Sequence, residues 1–303
     1  MAASPKRPGP LSGALSTLAY PTAAVLGSMM AKRVFRPPRR RHHKSPADFG
    51  LTAETGEVPF NGGTLHTWLI AGDPDRVVIV GHGIGLSKSA SLAHAKFLHD
   101  AGCTVLLFDH RNHGLSSADP SGSDLADRFT EDLVTLVEHV RSQDRHRDAK
   151  IAVYGFSFSC YPVTYMLRQC DVDAVVCDSG PVADLADAFE RFMDSRAMPL
   201  PDCYRVPPSR KPTVDAFVRT AIQALNAEWP PKAEGRYLST PMLLLAGETD
   251  PIIRPEGVAA LAESLPAAEM HTLPGAGHLQ GVKKDPQGYA DLVLDFLERA
   301  WKP

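Results

Sequence analysis

The sequence predicts an α/β fold: a mostly parallel central sheet flanked by helices, with a small helical insertion late in the chain. Three observations point there. Short apolar runs rich in β-branched residues alternate with stretches of helical periodicity, the pattern of a parallel sheet covered on both faces. Most of these runs stop at a polar turn, such as Gly81-His82-Gly83, Asp109-His110-Arg111 or Gly247-Glu248-Thr249-Asp250. The chain has 303 residues and is 44% apolar, enough to bury a core of that size.

Residues 1–50 read as a helical, basic extension and residues 51–303 as the α/β domain. Residues 11–30 carry no charge and follow Lys6 and Arg7, as a signal or anchor would. Ser, Thr, Gly and Pro21 dilute the stretch below what a spanning helix of about 20 predominantly apolar residues requires. A packed helix pair is therefore expected, with no stable membrane insertion. Lys32, Arg33, Arg36, Arg39, Arg40, Arg41 and Lys44 then form a basic run with His42 and His43. A solvated linker is expected, because Phe35 is the only large aromatic available to stack a base and no third metal ligand stands near the histidine pair. The net charge of -3 gives no general attraction to nucleic acid. The cysteines, Cys103, Cys160, Cys170, Cys177 and Cys203, lack metal-like spacing and read as reduced thiols of a cytoplasmic protein.

Residues 57–60 and 64–70 flank Asn61-Gly62-Gly63 as a β-hairpin. Residues 77–80 form a strand buried on both faces, followed by a helix over 89–101 that Gly102 stops. Residues 104–108 are the next strand and run into Asp109-His110-Arg111-Asn112-His113-Gly114-Leu115-Ser116. Leu133, Leu136, Val137 and Val140 give residues 128–141 a helical period. The strand at 151–154 meets Gly155-Phe156-Ser157-Phe158-Ser159 and a helix from residue 160, with Pro162 in its first turn. Residues 174–177 are a strand ending at Asp178.

The alternation lapses over residues 181–239, which read as a lid with helices at 182–193 and 214–227. Phe189, Met193 and Tyr204 are its candidate substrate contacts, and Arg191, Arg196 and Arg205 could meet a carboxylate or face water. The pattern resumes with a strand at 241–246, a helix at 255–265, a final strand at 269–273 ending in Gly275-Ala276-Gly277-His278, and a closing helix over 287–301.

Ser157, Asp250 and His278 each follow a predicted strand, and in an open parallel sheet those strand ends face one crevice. A serine hydroxyl needs a histidine to take its proton, and that histidine needs a carboxylate to fix its tautomer. Small residues at Gly155 and Ser159 suit a sharp strand-to-helix turn that holds Ser157 in a strained conformation. Asp178, also at a strand end, is the alternative acid. His82 reads as bracing its loop, Glu248 as a sheet-edge residue, and Cys160 as packed in its helix.

With the order Ser, Asp, His and the pieces His82-Gly83-Ile84-Gly85, Asp109 to Gly114, Gly155 to Ser159, Gly247 to Pro251 and Gly277-His278, the chain from about Glu57 onward resembles the α/β-hydrolase superfamily. It looks most like the serine aminopeptidase-like and monoacylglycerol-lipase-like branch with a short lid. The resemblance implies that Ser157 is the nucleophile, His278 the general base and then acid, and Asp250 the orienting acid. The backbone N–H groups of Ile84 and Phe158 would form the oxyanion hole. Ser159 stands where the family usually has the elbow's second glycine, and Asn112 where it commonly has glycine. The implied activity is hydrolysis of an ester, thioester or related acyl bond of a small molecule with an apolar part, with no cofactor and no metal. Acyltransferase, thioesterase or carboxylate-eliminating lyase activity would fit the same residues, and a non-catalytic ligand-binding relative is the alternative from another class.

Overall fold

The computed structural model describes residues 11–40, 42–195 and 197–302; Lys6, Arg7, Arg41 and Arg196, named above, lie outside them. The chain opens with helices α1 (Leu11–Ala19) and α2 (Ala23–Val34) and the hairpin strands β1 (Glu54–Phe60) and β2 (Gly63–Ile70). Next come β3 (Asp73–Val80), α3 (Leu92–Asp100), β4 (Cys103–Phe108), α4 (Leu125–Ser142), β5 (Lys150–Phe156), α5 (Cys160–Tyr165) and β6 (Ala174–Asp178). Helices α6 (Leu185–Asp194) and α7 (Arg210–Leu225) precede β7 (Met242–Gly247), α8 (Pro255–Ser264), β8 (Ala268–Leu273), α9 (Gly281–Lys284) and α10 (Pro286–Trp301).

The strands form one eight-stranded sheet in the order β1-β2-β4-β3-β5-β6-β7-β8. β1 pairs with β2, and β2 with β4, antiparallel. All other pairings are parallel, so the carboxyl ends of β3 to β8 point to one edge. The strand period of two divides the core cleanly. Val77 and Ile79 of β3 face Leu133, Leu136, Val137 and Val140 of α4. Val78 and Val80 face the other way, toward Leu92, Ala95 and Leu98 of α3 and Val293, Phe296 and Leu297 of α10. Val77 to Val80 are fully buried, and each such side chain contributes about 1.5–3 kcal/mol by leaving water.

Several helix ends differ from the sequence-based expectation for local reasons. α6 starts at Leu185 rather than 182, because the Asp184 carboxylate accepts the N–H groups of Ala186 (2.8 Å) and Asp187 (3.2 Å) as an N-cap. α7 starts at Arg210 rather than 214, since Pro212 is tolerated within its first turn, and ends at Leu225 because Asn226 is left-handed at φ +51°.

A third hydrophobic cluster joins α2 to α6 and α7 across the carboxyl edge of the sheet. Ala23, Gly27, Ala31 and Val34 form the buried stripe of α2. At Gly27 the helices touch backbone to backbone: a Cβ there would lie 2.1 Å from the Thr213 carbonyl oxygen. Val25 and Met29 of α2 are exposed, as are Leu15 and Leu18 of α1. By length and composition, residues 13–34 form a helical stretch apolar enough to cross a membrane.

Candidate active site

The β5 to α5 turn is built around one strained residue. Ser157 sits at φ +52°, a left-handed conformation that costs a non-glycine residue about 1–3 kcal/mol. A Cβ on Gly155 would stand 2.8 Å from backbone atoms of Ser159 and Cys160, so the turn needs glycine there. The turn aims the Ser157 hydroxyl at His278, whose Nε2 lies 2.9 Å from Oγ. The other ring nitrogen, Nδ1, lies 2.7 Å from Oδ2 of Asp250. Asp250 is buried after β7, and its Oδ1 accepts the N–H groups of Ile252 (2.8 Å) and Ile253 (2.9 Å). A hydroxyl bonded to an imidazole whose far side is held by a buried carboxylate can pass its proton to the ring, and the carboxylate stabilises the imidazolium that results.

Asp178 is placed differently. Its carboxylate accepts from the Tyr289 hydroxyl (2.7 Å) and the Ser179 hydroxyl (3.0 Å), and burial pushes its pKa up. Ser179 Oγ in turn accepts the Leu279 N–H at 3.0 Å, so Asp178 braces the loop carrying His278 while Asp250 holds the ring. Cys160 gives its Sγ–H to the Gly155 and Asp178 carbonyls, and burial raises its thiol well above the usual range. Glu248 accepts the Gly275 N–H at 2.7 Å.

Opposite Ser157, neutral histidines fix the Gly83-Ile84-Gly85 loop. His82 donates Nδ1–H to the Gly83 carbonyl (2.8 Å) and accepts the His110 N–H on Nε2 (3.2 Å). His113 donates Nδ1–H to the Arg111 carbonyl (2.9 Å) and accepts the Gly85 N–H on Nε2 (3.0 Å). Burial lowers the His82 pKa and pushes His113 down to about 3, so both rings keep the lone pair their acceptor role needs. The two residues that depart from the family pattern have partners here. Ser159 Oγ lies 2.9 Å from His110 Nε2, in space left open by Gly81. Asn112 takes a left-handed φ of +66°, and its amide bonds the Phe35 carbonyl and the Asp119 N–H, tying the end of α2 to this loop.

Beneath the loop lies a buried ion pair with no counterpart in the sequence reading. Lys88 Nζ is 2.6 Å from Asp109 Oδ2, both side chains are fully buried, and the ammonium sits 4.7 Å from the Trp68 ring centroid. Asp109 also accepts the Lys88 and Leu115 N–H groups. His42 Nε2 approaches the same carboxylate at 3.1 Å, so the basic segment is anchored at that point. Burial alone would raise the Asp109 pKa, but His42 and Lys88 hold it far below the usual carboxylate range. Among the described residues, no group of three His, Cys, Asp or Glu side chains is placed to share a metal ion.

Two cavities are lined by residues of this site. A small one of about 80 Å³ is almost wholly apolar, with Ser157, Ile84, Phe158, Phe189, Ile252 and Val34 among its lining residues. Val34 belongs to α2, a contribution that local sequence could not reveal. Of the three expected lid contacts, Phe189 lines this cavity and Met193 and Tyr204 do not. Met193 is buried in the α2–α6–α7 core, and the Tyr204 hydroxyl pairs with Thr22 Oγ1 at 2.8 Å. Arg191 bonds Asp187, and Arg205 donates to the carbonyls of Met193, Met198 and Leu200, so both serve the insertion's own structure. The second cavity, about 810 Å³, has Gly83, Leu86, His278 and Leu279 among its lining residues.

Comparison with known proteins agrees with this architecture. The structure superposes on an esterase of Pyrococcus furiosus, Pf2001, with a TM-score of 0.71 and 24% identity, covering 88% of this chain and 98% of that one. In sequence it is 24% identical over 229 residues to the uncharacterized protein YqkD of Bacillus subtilis, spanning 75% of this chain and 72% of that protein. It is 26% identical to the polyketide transferase grgF of Penicillium sp., spanning 82% of this chain and 99% of that protein. The model of the alpha/beta hydrolase family matches residues 77–292, and the chain belongs to that family.

Proposed function

We propose that the protein is a serine-nucleophile acyl hydrolase, an esterase or thioesterase acting through an acyl-enzyme. The reading rests on one observation, the hydrogen-bonded run from Ser157 through His278 to Asp250, with Ser157 held in a strained turn. His278 Nε2 takes the Ser157 proton as Oγ attacks the acyl carbonyl, and Asp250 stabilises the imidazolium. The Phe158 N–H, at the start of a helical turn where it has no intrahelical acceptor, and the Ile84 N–H bind the oxyanion. Each such donor is worth about 3 kcal/mol in the transition state. His278 then protonates the leaving group, and water releases the acid by the same steps in reverse.

The acyl chain lies in the apolar cavity against Phe189 and Val34, which suits a short chain. The insertion over residues 181–239, together with α2, acts as the lid, in keeping with the serine aminopeptidase-like and monoacylglycerol-lipase-like branch and a cytoplasmic enzyme. The test is a panel of p-nitrophenyl esters of increasing chain length. Wild type is expected to favour short chains, and Ser157→Ala to lose on the order of 10⁶-fold in kcat. Unchanged turnover by Ser157→Ala would overturn the assignment.

Similarity to a polyketide transferase supports a second reading, in which the acyl-enzyme passes its acyl group to an acceptor other than water. In ¹⁸O-labelled water, hydrolysis puts label into the released acid and transfer does not.

A further inference from the structure

The proposed reaction requires the leaving atom to lie within hydrogen-bond reach of His278 Nε2, the group that protonates it as the acyl–heteroatom bond breaks. The acyl group and the leaving group must therefore diverge from Ser157 into different spaces. The two cavities supply them. Ser157 lines the small apolar one and His278 the large one, and the consecutive residues Ile84 and Gly83 line one each.

The large cavity is chemically unlike the small one. Arg40, Lys44, Lys96 and Lys283 stand among its lining residues, with Asp100 as the lining carboxylate, in a protein whose net charge is -3. Asp100 is committed to Lys96, whose Nζ lies 2.5 Å from both of its carboxylate oxygens. With that pair neutral, the cavity's net positive charge comes from two separate parts of the chain, Arg40 and Lys44 of the basic segment after α2 and Lys283 of α9. Anchoring of His42 to the buried Asp109 carboxylate holds the basic segment beside the cavity, so the charge is localised there by tertiary structure. The wall also includes His94, which is nine-tenths buried against the Phe156 ring and has neither ring nitrogen hydrogen-bonded.

We infer that this cavity binds the leaving group of the substrate and that the leaving group carries phosphate, so the substrate is a short-chain acyl ester or thioester of a phosphate-bearing carrier. The inference rests on the acyl-hydrolase reading above. The carrier could be a free nucleotide-bearing thiol or a phosphopantetheine arm on an acidic protein. Both present phosphate to the same cations.

Matched thioesters separate these possibilities. Butyryl-coenzyme A and S-butyryl-N-acetylcysteamine share the acyl group and the thiol end and differ in the phosphates; a butyryl-phosphopantetheinyl carrier protein is the third substrate. At low salt, kcat/KM for one of the phosphate-bearing substrates is expected to exceed that for the neutral one by about tenfold or more, and the ratio should fall as salt is raised. In Lys44→Ala/Lys283→Ala the ratio should approach one. Whichever phosphate-bearing substrate holds the advantage identifies the source. Ratios near one for both in wild type, or a ratio unmoved by the double variant, would overturn the inference.

If none of the thioesters turns over, the hydrolase reading has failed, and calorimetry on Ser157→Ala still decides the cavity. Coenzyme A or the unacylated phosphopantetheinyl carrier protein should bind, with Kd about tenfold weaker after Lys44→Ala/Lys283→Ala. Binding of neither, or binding indifferent to those lysines, would overturn it.

Discussion

His278 keeps about a fifth of its side chain in solvent, with its nitrogens on Ser157 and Asp250. His82, His110 and His113, on the loops opposite Ser157, are sealed from water. Their rings bond backbone groups or the Ser159 hydroxyl, and burial depresses the pKa of each. One set of surroundings suits the proton transfers proposed for His278. The other suits rings that must never gain one, because protonation would turn the acceptors of the His110 and Gly85 N–H groups into donors. In this reading the moving proton is confined to one histidine, and the loop that receives the oxyanion is held by histidines that cannot compete for it.

Substitutions that erase the difference should have graded effects. Asp250→Asn removes the charge behind His278 and leaves the ring in the wrong tautomer, so kcat should fall by about 10⁴-fold with little change in KM. His113→Phe removes the acceptor of the Gly85 N–H without touching Ser157. It should cost about 10–100-fold in kcat, less than outright loss of an oxyanion donor, while the thermal midpoint and the pH profile of kcat/KM show whether the role is positioning. An unshifted pH profile with reduced kcat is the expected result; a shifted one would mean that His113 exchanges a proton during turnover.

The smallest effect concerns stability. His94 and His113 have folded pKa values pushed by burial to about 3, against 6.5 in the unfolded chain. Between those values the unfolded state binds the proton and the folded state does not, so stability falls as pH drops below 6.5. Each group adds a slope of about 1.4 kcal/mol per pH unit. Asp132 opposes this, because burial raises its carboxyl to about 6, so it takes up its proton in the folded state first. Urea unfolding of wild type and His94→Phe between pH 6.5 and 5 isolates one histidine, and the variant should be less acid-sensitive by about that slope. Parallel curves would contradict a neutral buried His94.

Much of the candidate site's geometry was legible in the sequence because parallel strands deliver the residues that follow them to one edge. Ser157, Asp250 and His278 needed only correct strand ends and small residues around the turn. The insertion was less legible. Hydrophobicity marked Phe189 and Met193 equally, and only packing against α2 and α7 turned one toward the cavity and the other into the core. Lys88, His42 and Val34 were out of reach for a related reason. Their partners, Asp109 and the cavity around Ser157, lie far along the chain, and nothing in local periodicity announces a buried lysine or an amino-terminal helix that lines the cavity beside Ser157.

The central claim, that His278 and Asp250 make Ser157 a nucleophile, is tested most directly by treating folded wild type with a fluorophosphonate and locating the adduct by peptide mass spectrometry. The account predicts one phosphonylated residue, Ser157, with labelling slowed by orders of magnitude in Asp250→Asn and abolished in Ser157→Ala. An unlabelled Ser157 in folded protein, or labelling as fast in Asp250→Asn as in wild type, would contradict it.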